Sequence, residues 1–175
     1  MKKILSLSVF TLLLSCEQTS TPSKLTEKFS FPKNLKEVSG IYYSNNSQSI
    51  WAIEDSGNEN EIYALDSTGN ILKTIQITDI ENIDWEDITQ DKTGNIYIGD
   101  FGNNVSGNRQ DLHILKIEKR SLLESNPKID TIAFSFENQH IFDQLKSNKT
   151  NFDCETILAT KDSLYLFTKE WNSKQ

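Results

Sequence analysis

The chain has 175 residues, a formal net charge of −7 and 36% hydrophobic residues. The length fits a single domain, and an acidic surface repels phosphate backbones, so the composition argues against nucleic-acid binding. Only two histidines and two cysteines are present, which are few for a histidine-based metal centre or a disulfide framework.

The first 16 residues have the three parts of an export signal. Lys2 and Lys3 form a charged start, an apolar run follows over residues 4–14, and the small residue Ser15 precedes Cys16. The run is shorter than the ~20 residues that a membrane-spanning helix needs. Its ending resembles the bacterial lipobox, which implies cleavage before Cys16, acylation of that cysteine and a membrane-anchored lipoprotein of the bacterial cell envelope, facing the periplasm or the outside. The alternatives are an ordinary signal peptide with an incidental cysteine and an uncleaved transmembrane anchor.

Removal of residues 1–15 takes two lysines away and changes the formal net charge to −9. Residues 16–28 are polar and lack periodicity, which predicts a flexible tether between the lipid and the domain. The domain is predicted to span residues 29–175. Cys154 is then the one thiol that remains unmodified, and its position among strand-like residues predicts burial.

From residue 29 onward, short β-branched and aromatic runs alternate with clusters of Gly, Asn, Asp and Ser, which predict hairpin turns. A first set of four strands is predicted at residues 41–44, 49–53, 61–65 and 71–77. A second set is predicted at residues 86–89, 95–100, 112–117 and 129–136. A third set begins with residues 156–160 and 163–168. Residues 140–151 are compatible with either a long loop or a short helix.

Each set begins with a related segment, in which an acid leads and an isoleucine follows four residues later. These segments are Glu37-Val38-Ser39-Gly40-Ile41, Asp84-Trp85-Glu86-Asp87-Ile88 and Asp153-Cys154-Glu155-Thr156-Ile157. A repeated four-stranded unit is typical of a β-propeller blade. The sequence therefore predicts an all-β partial propeller with two four-stranded blades and the start of a third. Because propellers close with at least about four blades, a truncated sequence is expected; a complete small β-sandwich is the alternative.

Four segments carry a family resemblance: Val38–Ile41, Ile50–Gly57, Ile83–Ile88 and Tyr97–Asn104. They look like segments of a family of bacterial secreted or lipid-anchored propeller-like proteins, similar to the NHL, strictosidine-synthase-like and gluconolactonase-like groups. The resemblance extends over residues 35–172 and implies a propeller, without implying an activity. In gluconolactonase-like members a few acids and an asparagine near the axis hold a divalent cation, and Glu37 would occupy the first of these places.

The acids at the segment starts are the candidate site, because the first strand of each propeller blade lines the central channel. This arrangement would bring six carboxylates to one rim: Glu37, Asp84, Glu86, Asp87, Asp153 and Glu155. Converging carboxylates repel unless a cation binds or some of them protonate, so the pattern predicts Ca²⁺ or another divalent cation. The alternative is that they accept hydrogen bonds from strand N–H groups and fasten blade to blade. Trp85, which lies between acids, is predicted to be an exposed aromatic residue at the rim.

Two functions follow from this pattern. The first is a binding module for an unknown ligand or protein partner in the cell envelope, without enzymatic activity. The second is a hydrolase of lactones or phosphoesters, in which a cation held by the rim carboxylates activates water. The oxygen-rich loops Asp55–Glu61 and Asp100–Asn104 are predicted to be turns rather than calcium loops, and Arg109 is expected to pair with a neighbouring acid.

Overall fold

A computed structural model of the protein describes residues 25–124, 126–139 and 146–172. The predicted export signal, Cys16 and most of the tether lie outside the described residues, as do residues 140–145 of the segment left open between loop and helix. In the part that the structure describes, no helix has the length and hydrophobicity needed to cross a bilayer.

Ten strands form three antiparallel sheets within the described residues. The first sheet contains β1 (Val38–Ser44), β2 (Ser49–Glu54), β3 (Glu61–Leu65) and β4 (Ile71–Gln76). The second contains β5 (Trp85–Gln90), β6 (Ile96–Asp100), β7 (Leu112–Ile117) and β8 (Ile129–Phe134), with a 3₁₀ turn at Ser121–Leu123 before β8. The third contains β9 (Asp153–Ala159) and β10 (Leu164–Lys169). Every predicted strand is confirmed, with its ends shifted by at most three residues.

The strands of each sheet are neighbours both in sequence and in space, which is the up-and-down order of a propeller blade. The first strands of the three sheets contact one another in the order β1, β5, β9. They therefore lie together on the inner side of the three units, as the radial arrangement of a propeller requires. The predicted all-β partial propeller is confirmed, and the β-sandwich alternative is not supported.

Two hairpins use the same turn sequence, Asp-x-Thr-Gly-Asn, at residues 66–70 and 91–95. In each turn the aspartate Oδ1 accepts hydrogen bonds from the backbone N–H groups two and four residues later. Gly69 and Gly94 adopt φ values of +88° and +96°, which a residue without Cβ reaches at low cost. Local side-chain bonds and glycine thus close these hairpins, as the turn composition predicts.

The core lies mainly between neighbouring blades rather than inside one sheet. Isoleucines of β2, β3 and β5–β7 fill the space between the first two blades around the buried rings of Trp51 and Trp85. A second cluster joins the second blade to the third through Phe101, Leu112 and Cys154. Because each sheet buries its faces against its neighbours, the relative position of the blades, and of the side chains at their rims, is set by this packing.

Candidate functional site

A β-bulge recurs at the same place in the first strand of all three blades. The pairing register skips one residue in each strand: Ser39 in β1, Glu86 in β5 and Glu155 in β9. A bulge leaves the extra residue unpaired and re-aims its side chain. In the first blade the bulged residue is used for assembly, because Ser39 Oγ donates to the backbone oxygen of Trp85 at 2.6 Å. In the other two blades the bulged residue is a glutamate.

Three carboxylates from two blades converge near the first of these glutamates. Asp55 follows β2 in the first blade, whereas in the second blade Asp84 directly precedes β5 and Glu86 is its second residue. One carboxylate oxygen of each residue lies within 4.8 Å of one oxygen of each of the others, and all three residues are partly buried. None of the three forms an ion pair with a described lysine or arginine.

Gly102 lies directly against two of these carboxylates. A Cβ at this position would overlap Oδ2 of Asp84 and Oε1 of Glu86. Any larger residue would therefore push the two carboxylates aside. Gly102 follows β6 at the same rim. The carboxylates of Asp84 and Glu86 can occupy their positions because Gly102 has no side chain.

The crowding of acids alters their protonation. Burial, with the charges of Asp84, Glu155, Asp55 and Asp153, raises the pKa of Glu86 to about 8. Burial and the charge of Asp55 raise the pKa of Asp84 to about 6, against the opposing effects of a hydrogen bond from Ser56 and the charge of Arg109. Near neutral pH, Glu86 is therefore largely protonated in the absence of a cation.

One buried ion pair lies beneath this group. Arg109 Nη2 donates to Asp100 Oδ1 at 2.6 Å, and the two side chains are 13% and 2% exposed. The same Asp100 oxygen accepts the backbone N–H of Asp84 at 3.1 Å. Arg109 also binds the exposed Asp111 at 3.0 Å. The expectation that Arg109 pairs with a neighbouring acid is confirmed. Through Asp100 the pair also fixes the backbone of Asp84, directly before β5.

Of the six predicted site acids, Asp84 and Glu86 belong to the converging group, and Asp153 and Glu155 lie close enough to raise the pKa of Glu86. Asp153 is fully buried and accepts hydrogen bonds from the backbone N–H of Asn103 and the indole N–H of Trp171. Glu155 pairs with Lys169 at 3.3 Å. These two residues therefore add negative charge while fastening the third blade.

The remaining two predicted acids lie outside the converging group. Asp87 accepts hydrogen bonds from the backbone N–H groups of Ile88 and Ile157, so it ties the second blade to the third. This is the fastening role that the sequence left open as the alternative. Glu37 is exposed and accepts a hydrogen bond from Asn58.

The prediction that Trp85 is an exposed rim aromatic is wrong. Its side chain is fully buried, in the core between the first two blades. The residue lies between acids in sequence, but alternation along β5 directs its ring inward while the bulge re-aims Glu86. Burial of Cys154 is confirmed, and burial raises the pKa of its thiol to about 12, which leaves it protonated at neutral pH.

Sequence reasoning missed Asp55 and Gly102. Asp55 makes the predicted turn contact, because its Oδ1 accepts the Ser56 N–H at 2.6 Å, and its carboxylate is also within the converging group. Its position directly after a buried strand was a usable signal. Nothing in the local sequence marks Gly102, because its importance comes from the side chains of Asp84 and Glu86, which lie far from it in sequence.

The raised pKa of Glu86 predicts a specific pH dependence of stability in buffer containing a chelator. Glutamate in the unfolded chain titrates near 4.5 and folded Glu86 near 8, so between these values the folded state binds more protons. The free energy of unfolding should then fall as pH rises through this window, and the Tm should fall with it. Thermal melts at several pH values measure this change. The Tm of Glu86→Gln should vary less with pH than that of the wild type, while the exposed-site variant Glu137→Gln should keep the wild-type pH dependence.

The family comparison agrees with the fold. The model of the SdiA-regulated family, a family of β-propeller-like domains, matches residues 24–142, which is more than half of the chain. A comparison with curated protein sequences gives no significant match. The matched region contains both complete blades and the residues Asp55, Asp84, Glu86 and Gly102. The chain therefore belongs to the SdiA-regulated family.

Proposed function

We propose that the protein is a propeller-type binding module of the cell envelope, in which Asp55, Asp84 and Glu86 bind a divalent cation and so form the rim that receives a ligand or partner. Membership of a family of propeller-like domains supports the binding module. The pattern of residues 1–16 supports attachment to a membrane through an acylated Cys16. The hydrolase alternative stays a prediction.

The convergence of three carboxylates that form no ion pair with a described residue is the main support for this proposal. Ca²⁺ takes oxygen ligands at 2.3–2.6 Å, so oxygens on opposite sides of one ion lie roughly 5 Å apart. The oxygens of Asp55, Asp84 and Glu86 lie within 4.8 Å of one another and fit around a single ion. Carboxylates that repel one another gain from a shared cation, and water or a ligand would complete the 6–8 positions of Ca²⁺.

Calcium titration of the wild-type protein at pH 8.5 tests the proposal. With three carboxylates on an open rim, we expect a Kd of about 10⁻⁴–10⁻³ M, as in extracellular calcium modules. At 10 mM Ca²⁺ this affinity would stabilise the folded state by roughly 1–3 kcal/mol. Glu86→Gln should weaken binding about 10-fold or more, and Glu137→Gln should change it less than about twofold.

Gly102→Ala is a second variant, which keeps every charge. It should also weaken Ca²⁺ binding, because its Cβ displaces the carboxylates of Asp84 and Glu86. Sodium chloride at equal ionic strength controls for simple screening of the acidic surface. Equal Ca²⁺ affinity of wild type and both variants would show that the carboxylates act only in charge screening, and the proposal would be wrong.

A further inference from the structure

A cavity of about 760 Å³ lies between the first and second blades. Ser44 and Gln90, the last residues of β1 and β5, line it, whereas Glu86 lies near the first residue of β5. The cavity is therefore at the opposite strand ends from the carboxylate group. Its volume falls in the range of sites that bind small organic molecules, about 300–1,000 Å³.

Part of the lining of this cavity is apolar. Trp51 and Ala64 of the first blade lie at its floor, and Leu122 joins them from the loop after β7. Leu72 and Leu123 line the cavity from opposite blades and are 61% and 86% exposed. Two exposed aliphatic side chains at one cavity would bury apolar area on binding an alkyl chain.

The residues that line this cavity carry a net positive charge, whereas the whole chain is acidic. Lys73, Lys119 and Arg120 line it with one acid, Glu118, although the chain has a net charge of −7. Arg120 pairs with Glu118 at 2.6 Å. Lys73 Nζ donates to a neutral acceptor, the backbone oxygen of Leu122, and neither Lys73 nor Lys119 forms an ion pair with a described residue. Two uncompensated ammonium groups therefore lie beside an apolar floor.

The side chain of Lys119 packs against Gly94. The carbon stem of Lys119 lies so close to Gly94 that a Cβ there would approach its Cδ to 2.8 Å. Lys73 reaches from the first blade to the 3₁₀ turn of the second. The two cations thus come from both blades, which favours an anionic ligand in the cavity.

We propose that this cavity binds a small anionic amphiphile, whose alkyl chain covers Trp51, Leu72 and Leu123 and whose carboxylate head lies near Lys73 and Lys119. The apolar walls supply affinity and the two ammonium groups supply the preference for an anion. This inference does not depend on the cation site at the other end of the strands.

Decanoate and decyltrimethylammonium are matched probes, because they share an alkyl chain and differ in the charge of the head. Nonspecific adsorption to an acidic protein would favour the cationic probe. We expect saturable decanoate binding with a Kd below about 1 mM and at least about 10-fold weaker binding of decyltrimethylammonium. Calorimetry gives the affinities, and a change in tryptophan fluorescence that is lost in Trp51→Phe reports the location.

The double variant Lys73→Met/Lys119→Met keeps the carbon stems and removes both charges. It should weaken decanoate binding about 10-fold, while Lys161→Met, an exposed lysine on the β9–β10 turn, should change it less than about twofold. If the double variant fails to fold, Lys119→Met alone serves, because its ammonium has no partner among the described residues. Equal binding of the two probes, or wild-type decanoate affinity in the lysine variants, would overturn the proposal, as would the absence of saturable binding.

Discussion

Trp85→Ala is expected to lower the free energy of unfolding by about 3–5 kcal/mol, the loss typical of removing a large aromatic side chain from a packed core. The Trp85 side chain is fully buried where the first and second blades meet. Its removal would leave a cavity among isoleucines of both blades, which the two sheets cannot close without losing their contacts. Urea denaturation followed by circular dichroism measures the change.

Trp85→Phe separates packing from hydrogen bonding. The indole Nε1 of Trp85 has no hydrogen-bond partner among the described residues, so phenylalanine removes no bond and leaves a smaller cavity. We expect this variant to lose less than half of the stability that Trp85→Ala loses. A Trp85→Ala variant as stable as the wild type would place the ring at the surface, as the sequence alone predicted.

Asp100→Ala should cost about 3 kcal/mol or more, because it removes one partner of a buried ion pair and leaves the other charge uncompensated. Its carboxylate is 2% exposed and accepts hydrogen bonds from both Arg109 and the backbone N–H of Asp84. Without it, the Arg109 guanidinium keeps only the exposed carboxylate of Asp111 and backbone oxygens. Urea denaturation at pH 7 gives the size of the loss.

Asp111→Ala is the matched control, since it removes the other carboxylate partner of the same arginine. Asp111 is 55% exposed, and exposed ion pairs contribute about 0–1 kcal/mol. We therefore expect a loss of less than about 1 kcal/mol. Similar losses in the two variants would mean that the burial of Asp100 does not determine the strength of its pairing.

The strands and turns could be predicted from local patterns. Short runs of β-branched and aromatic residues mark strands such as Ser49–Glu54, and Asp-x-Thr-Gly-Asn segments mark two hairpins. Both signals act over only a few residues. The repeated segment starts also placed Glu86 and Glu155 at equivalent positions, which the structure shows as bulges. Repetition in sequence was therefore sufficient to find the blades.

Local sequence patterns could not show which of the neighbouring acids belong to the converging carboxylate group. Asp84, Asp87 and Glu86 lie within four residues of one another, yet only Asp84 and Glu86 converge, while Asp87 binds the backbone of the third blade. A one-residue bulge decides which carboxylate faces which side, and its effect appears only when the strand is paired. Asp55 enters the group from the neighbouring blade.

The sequence by itself determined the all-β class, the order of the strands and the acidic character of the segment starts, because these depend on residue types and on spacing along the chain. Only the tertiary structure decided that Trp85 is buried, that Asp55 converges with Asp84 and Glu86, and that two lysines line a partly apolar cavity. Each of these depends on how one blade packs against the next, and packing brings together residues whose distance in sequence carries no sign of their contact.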